Sequence, residues 1–364
     1  MKSEIRNFLK LYLTKGIGYK FLNEFYSTLG TFEGNLEELL KEFAGLKKLR
    51  KEKLKPLLAK VKETAPLLEE ILKLLNLYGV EVIPFYDNRF PKELNKLQPA
   101  AALFVYGTFN NSKGFAIVGT RRATKEGKEK SFQFASEMAK ENFLIVSGGA
   151  YGVDRSAHEG ALSVNGKTAL VLGGGIFRFL QKEKKFAETI RDFGGFVVSQ
   201  FHPFMEPSKW SFPQRNALIA VLSSYGVLVV EAPSKSGALI TAEYALRLGK
   251  KLYSYLGCTY NPNYKGNIEL ISSCRAKLVV DPKELLKELS TSKEAKIEEP
   301  PTGAKKDINT SEENRLLKLL KERPRNFDEL LALTGISQME LTSQLTELEL
   351  EGKITQEGGF FKVL

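Results

Sequence analysis

Seven short apolar runs recur through the middle of this 364-residue chain, separated by stretches of roughly 10 to 20 residues with helical spacing. They are Gly114-Phe115-Ala116-Ile117-Val118, Phe143 to Val146, Thr168 to Leu172, Phe196 to Val198, Gly226 to Val230, Leu252 to Tyr255 and Lys277 to Val280. The runs are apolar throughout rather than at alternate positions, which is the pattern of strands covered on both faces. Strands of that kind joined by helices predict an α/β domain with a doubly wound, mostly parallel sheet over 79–288.

Four of the runs lead into glycine-rich turns: Gly119-Thr120-Arg121-Arg122, Ser147-Gly148-Gly149-Ala150, Gly173-Gly174-Gly175 and Ser234-Lys235-Ser236-Gly237. In a parallel sheet all four open at the carboxyl edge, where helix N-termini and free backbone N–H groups collect and bind anions. At the first turn, glycine lets a phosphate approach the backbone, Thr120 supplies a hydroxyl and Arg121 a bidentate cation, with Thr124 placed to cap the following helix. The same logic applies to Ser147, Gly148 and Gly149, without a charge. Asp154 and His158 are four apart on the next predicted helix, so they share a face as either an acid/base pair or a structural contact. Lys209-Trp210-Ser211-Phe212-Pro213-Gln214-Arg215-Asn216 interleaves cations with rings, the composition that an unpaired strand requires for stacking and charge neutralisation, although Trp210 and Phe212 could equally be core residues.

Residues 1–78 read as a helical domain, with apolar pairs such as Phe8-Leu9, Tyr12-Leu13, Phe21-Leu22 and Phe25-Tyr26 at three- and four-residue steps. Gly16-Ile17-Gly18 between them is either the hairpin of a helix-hairpin-helix or a plain connector using glycine's freedom. Residues 289–310 are polar and proline-containing, a linker. Residues 311–364 read as three helices and a hairpin turning at Gly358-Gly359, a winged-helix pattern. Its third helix carries Glu340, Glu347, Glu349 and Glu351 and no Lys or Arg, and the segment as a whole has 7 basic and 10 acidic side chains, so it is assigned to protein contacts rather than to DNA. The chain's formal charge of +11 therefore resides elsewhere, about +9 of it between 76 and 310, and favours a polyanionic partner. Two cysteines and two histidines supply neither a disulfide framework nor a zinc ligand set, and no apolar stretch is long enough for a membrane span, so a cytoplasmic protein with no metal or cofactor is expected.

Taken in order, Val118-Gly119-Thr120-Arg121, Ser147 to Asp154 with Ala157-His158, Phe212 to Asn216, and Glu231-Ala232 followed by Ser236 to Glu243 resemble the signature of the DNA-processing protein A (DprA/Smf) family over about 84–282. The resemblance implies a Rossmann-like domain that binds single-stranded DNA in a basic groove, flanked by an N-terminal helical domain of SAM or helix-hairpin-helix type and a C-terminal winged helix. It also implies a homodimer that helps load RecA recombinase onto incoming DNA in natural transformation, with no catalytic residues. By position, Gly119, Thr120, Arg121 and Arg122 would hold backbone phosphate, with Ser147, Gly148 and Gly149 beside them. Lys209, Arg215 and Asn216 would add polar contacts, Phe212 would meet a base, and Lys235, Ser236 and Gly237 would line the far side. Around the third turn, Phe177, Leu180-Gln181 and Lys184 replace the family's usual Asp, Tyr-Pro and Asn.

The alternative is a nucleotide phosphoribohydrolase of the lysine-decarboxylase-like group, which has the same architecture. Its phosphate loop needs small residues where Leu239 and Ile240 stand, leaving Glu243 as the only candidate acid there. A dinucleotide-dependent oxidoreductase lacks its Gly-x-Gly-x-x-Gly turn, and a winged-helix transcription factor conflicts with the acidic third helix.

Overall fold

A computed structural model of the chain describes residues 3–110 and 113–294 and, beyond these, 316–317, 319–321, 323–334, 341, 345, 348, 354–357 and 360–363. The chain forms two compact units, Met1–Ala295 and Lys296–Leu364.

The first unit begins with five helices: α1 (Ser3–Leu13), α2 (Tyr19–Leu29), α3 (Leu36–Leu46), α4 (Lys51–Glu63) and α5 (Ala65–Tyr78). Their apolar stripes meet in one core built on Phe8, Leu22, Phe25, Leu40 and Ile71. Gly16 takes a φ of +92° between α1 and α2, and the Ile17 amide donates to Thr14 O at 3.0 Å while its side chain packs on the core. β1 (Val80–Pro84), the short α6 (Leu94–Leu97) and β2 (Ala102–Gly107) follow. These two strands lie outside the seven runs. They pair antiparallel, and Glu81 points to solvent, so β1 lacks the unbroken apolar signature of the interior strands. The Tyr12 ring sits 5.8 Å from Phe104 of β2, joining the helical core to the sheet.

Strands and helices then alternate: β3 (Gly114–Val118), α7 (Lys125–Lys140), β4 (Leu144–Ser147), α8 (Val153–Leu162), β5 (Thr168–Val171), α9 (Ile176–Lys182), α10 (Lys184–Asp192), β6 (Phe196–Ser199), α11 (Ser211–Leu222), β7 (Gly226–Val229), α12 (Gly237–Arg247), β8 (Leu252–Tyr255), α13 (Lys265–Ser272), β9 (Lys277–Val279) and α14 (Pro282–Glu294). The nine-stranded sheet runs β1-β2-β6-β5-β4-β3-β7-β8-β9, parallel from β6 to β9. Successive residues of β3 feed opposite layers. Phe115 and Ile117 share a core with α7, α8 and α14, whereas Ala116 and Val118 share one with α11 and α12. From β3 the chain steps outward to β4, β5 and β6; from β7 it steps the other way. The topological switch therefore lies between β3 and β7, the place where doubly wound sheets open a crevice at their carboxyl ends.

The second unit contains β10 (Arg325–Asn326), α15 (Phe327–Thr334), β11 (Ile354–Glu357) and β12 (Phe360–Val363), with strand order β10-β12-β11. The Asn326 side chain accepts from the Glu329 amide at 2.9 Å and caps α15. Leu316, Leu320, Leu330, Leu341, Leu345, Leu348 and Phe361 form a separate core, as a winged helix requires. Helix α14 continues to Glu294, into the stretch expected as linker; the rest of that stretch, and the third-helix residues Glu340, Glu347, Glu349 and Glu351, lie outside the described residues.

Candidate nucleic-acid interface

The turns after β3 and β7 face one another across the switch point and enclose an open cleft of about 390 Å³. Ten of the predicted site residues line it: Gly119, Thr120, Arg121, Arg122, Phe212, Arg215, Asn216, Lys235, Ser236 and Gly237. Ser147, Gly148, Gly149 and Lys209 do not.

The first turn is held from three sides. The Thr120 amide donates to Glu231 O at 2.7 Å, and the Val153 amide donates to Thr120 O at 3.3 Å. Thr124 caps α7 as predicted, its hydroxyl accepting from the Gly127 amide at 3.0 Å. Its own amide and hydroxyl donate to the buried Glu231 carboxylate, which also receives Asn263 Nδ2 at 2.6 Å. Glu231 belongs to the quoted motif, yet nothing in its sequence neighbourhood marks it as the brace of a turn more than 100 residues away. Gly127 carries the signal in hindsight, because a β-carbon there would overlap the Glu231 carboxylate. Asn267 was likewise unforeseen. Buried in α13, it accepts from the Ala232 amide and donates to Val229 O and Tyr255 O, tying β7 to β8 at the cleft end.

With the backbone fixed, Arg121 and Arg122 extend into solvent, and among the described residues neither has an acidic partner. The Arg121 guanidinium lies 4.5 Å from the centre of the half-buried Phe212 ring. Phe212, expected to meet a base, is thus the platform beneath Arg121, wedged against Gly173, where a β-carbon would come 2.7 Å from its ring. Opposite, Ser236 caps α12 by accepting from the Ala238 amide at 3.3 Å, and Lys235 is exposed. Nothing lies within 4 Å of the β-carbon position of Gly237, so the helix start faces open space.

Several predicted contacts are internal instead. Arg215 is only 4% exposed. Its guanidinium donates to Gly148 O at 2.6 Å and to Val171 O, and its Nε donates to Asn216 Oδ1 at 3.1 Å. Burial, with the Arg121 charge, lowers its pKa to about 10, opposed by Asp154. Arg215 therefore staples the ends of β4 and β5 and is not a free groove cation. Gly148 is glycine because a side chain would strike that guanidinium, rather than to admit a phosphate. Ser147 is fully buried and its hydroxyl donates to Ile117 O at 2.6 Å. Asn216 is spent on Gly237 O at 3.0 Å, which joins α11 to the start of α12. Lys209 is exposed on the loop leading to α11, outside the cleft. Trp210, 56% exposed, is not a core residue.

Asp154 and His158 do not pair. The two Asp154 carboxylate oxygens accept from the amides of Gly119 and Gly148, so one side chain ties the first two turns together. Burial raises its pKa, opposed by Arg215 and these amides. His158 Nδ1 meets Thr168 Oγ1 at 2.6 Å. The Thr168 hydroxyl proton is committed to Ile145 O, so Nδ1 is the donor and Nε2 is left without a partner. This histidine is sealed in the interior, too far inside to serve a reaction. The third turn is closed as well: Gly174 abuts Pro207, Gly175 abuts Pro203, and the hydroxyls of Ser199 and Ser211 donate to Gly174 O and Gly173 O.

A family model described as DNA recombination-mediator protein A matches residues 81–290, and one described as the DprA winged helix domain matches 299–359. The chain belongs to the DNA recombination-mediator protein A family. Its matches include the DNA processing protein DprA of Bacillus subtilis (strain 168), 32% identical over 63% of this chain and 78% of the relative. The DNA processing protein DprA of Streptococcus pneumoniae is 35% identical over 56% of this chain and 72% of the relative. The solved structure of DNA processing protein A from Streptococcus pneumoniae superposes with a TM-score of 0.62 at 27% identity, covering 79% of this chain and 99% of that one. The solved Streptococcus pneumoniae structure thus shares the fold that positions the cleft. Among the described residues, no helix is long and apolar enough to cross a membrane, and no group of three His, Cys, Asp or Glu could hold a metal ion.

Proposed function

We propose that this chain binds single-stranded DNA without sequence preference across the carboxyl edge of its sheet, and does so as a binding protein rather than an enzyme. The observation that carries this reading is the Arg121–Phe212 pair lining the cleft: a cation free of acidic partners among the described residues, placed over a ring at 4.5 Å from its centre. Lys235 and the α12 N-terminus across the cleft add a second phosphate contact. Of the two acids beside the cleft, Asp154 is engaged by backbone amides and Glu231 by Thr124 and Asn263. Glu243, the candidate acid of a phosphoribohydrolase, pairs with Arg247 at 3.5 Å and lines a different surface hollow. Through the family, the chain is further proposed to act as a cytoplasmic homodimer that passes incoming DNA to RecA in natural transformation.

Titration with single-stranded and duplex oligonucleotides at several salt concentrations tests the DNA reading. Log affinity for the single strand should fall against log salt by about 0.7 per phosphate contacted, and Arg121→Ala should both weaken binding and flatten that slope by about 0.7. Equal affinity for duplex and single strand, or an unchanged slope in the variant, would overturn it.

A further inference from the structure

Two of the most exposed aromatic side chains flank the first turn, on loops pinned to that turn's backbone. Tyr151 is 83% exposed and Tyr260 is 96% exposed. Tyr151 lies in the turn after β4, one residue before Gly152, whose φ of +88° brings the chain against the carbonyls of Thr120 and Arg121 so closely that a β-carbon would clash with both. Tyr260 lies in the loop after β8. That loop is stiffened by the Asn261 amide donating to Cys258 O and the Tyr264 amide donating to Asn261 O, each at 3.0 Å, and it is anchored by Asn263 Nδ2 donating to Arg122 O at 3.1 Å. Neither ring packs on the core, and the backbone beside each is tied to the first turn by these contacts.

Their order along the edge follows the sheet: Tyr151 after β4, Arg121-Arg122 after β3, the Lys235 turn after β7, and Tyr260 after β8. At a strand spacing of about 4.8 Å these positions span about 14 Å, roughly four nucleotides at the 3.4 Å rise of a stacked strand. Ring, cation, cation, ring is the arrangement by which a groove neutralises a backbone and stacks its bases whatever their identity.

We infer that the binding site extends beyond the cleft over this rim, and that Tyr151 and Tyr260 each stack one base of a single strand whose phosphates lie on Arg121, Arg122 and Lys235. The inference rests on the single-strand reading above. Neither tyrosine was assigned a role in the sequence motifs.

The test uses the full chain and a fluorescein-labelled oligo-dT of about 16 nucleotides, long enough to cover one such edge. Tyr151→Ala and Tyr260→Ala should each weaken binding roughly 5-fold or more, the lower end for loss of one base–ring stack, with the salt slope unchanged because no cation is removed. Tyr151→Phe and Tyr260→Phe, which keep the ring, should bind as wild type. Oligo-dT carrying 5-iodouracil should crosslink on irradiation to both tyrosines, mapped by peptide mass. An alanine variant that binds within about two-fold of wild type overturns the proposal at that ring. If Arg121→Ala still weakens binding in that event, the single-strand reading stands while the rim falls. A wild-type chain without preference for the single strand overturns both.

Discussion

At the scale of single residues, the charged groups divide by burial rather than by motif. Arg121 and Arg215 look alike in sequence, each beside a glycine-rich or aromatic segment, yet one stands in solvent and the other is closed inside the turns it braces. His158 makes the division measurable. Burial, with the charges of Arg155 and Arg215, lowers its pKa from 6.5 to about 3. The folded chain thus keeps this imidazole neutral, while the unfolded chain binds a proton below about pH 6.5, so the stability it contributes is present above that pH and lost as pH falls toward 3. The expected loss approaches 1.4 kcal/mol per pH unit in that window. His158→Gln, which keeps an amide to donate to Thr168, should be less stable at neutral pH but show a shallower decline. Urea unfolding of both proteins at pH 7, 6 and 5 checks it, and parallel pH profiles would contradict the assignment.

At the scale of elements, glycine positions decide what each turn can do. Gly173 lies against the Phe212 ring, whereas Gly237 opens onto empty space. Gly173→Ala should therefore push Phe212 out from beneath Arg121, costing about 1–3 kcal/mol in unfolding free energy and weakening DNA binding with it. Gly237→Ala should leave unfolding unchanged. Equal melting of the two variants would remove Gly173 from its assigned role. The same contrast explains how much was legible beforehand. Six of the seven runs are strands buried at every position, which leaves an unbroken apolar run in sequence, while the seventh, β9, is the edge strand with Lys277 and Leu278 exposed; the ends of all seven agree with the structure to within one residue. Strand β1 is broken in sequence by Glu81, its one exposed residue. Four turns with one appearance in sequence have two fates in space: those after β3 and β7 meet at the switch point, while the third is capped by the loop before α11. A glycine required by a neighbouring side chain, as Gly148 is by Arg215, cannot be told from one required by a ligand until that neighbour is placed. Contacts separated by more than 60 residues, such as Arg215 to Gly148, have no local signal at all.

For the whole molecule, the charge and the cores are partitioned in the same way. The unit Met1–Ala295 contains the cleft, both layers of the sheet core and most of the positive charge. The second unit has a core of its own, and residues 311–364 carry more acidic than basic side chains. A phosphate backbone proposed to lie on Arg121, Arg122 and Lys235 gains nothing from an acidic module, since negative side chains repel phosphates instead of neutralising them. A winged helix that read duplex DNA would instead dominate affinity and bring a steep salt dependence with it. The two roles separate on truncation. Removing residues 296–364 should leave single-strand affinity within about two-fold of the full chain, with the same salt slope, because no phosphate contact is lost. Loss of affinity on truncation, with a flatter slope, would move phosphate contacts into the winged helix and return that module to DNA recognition.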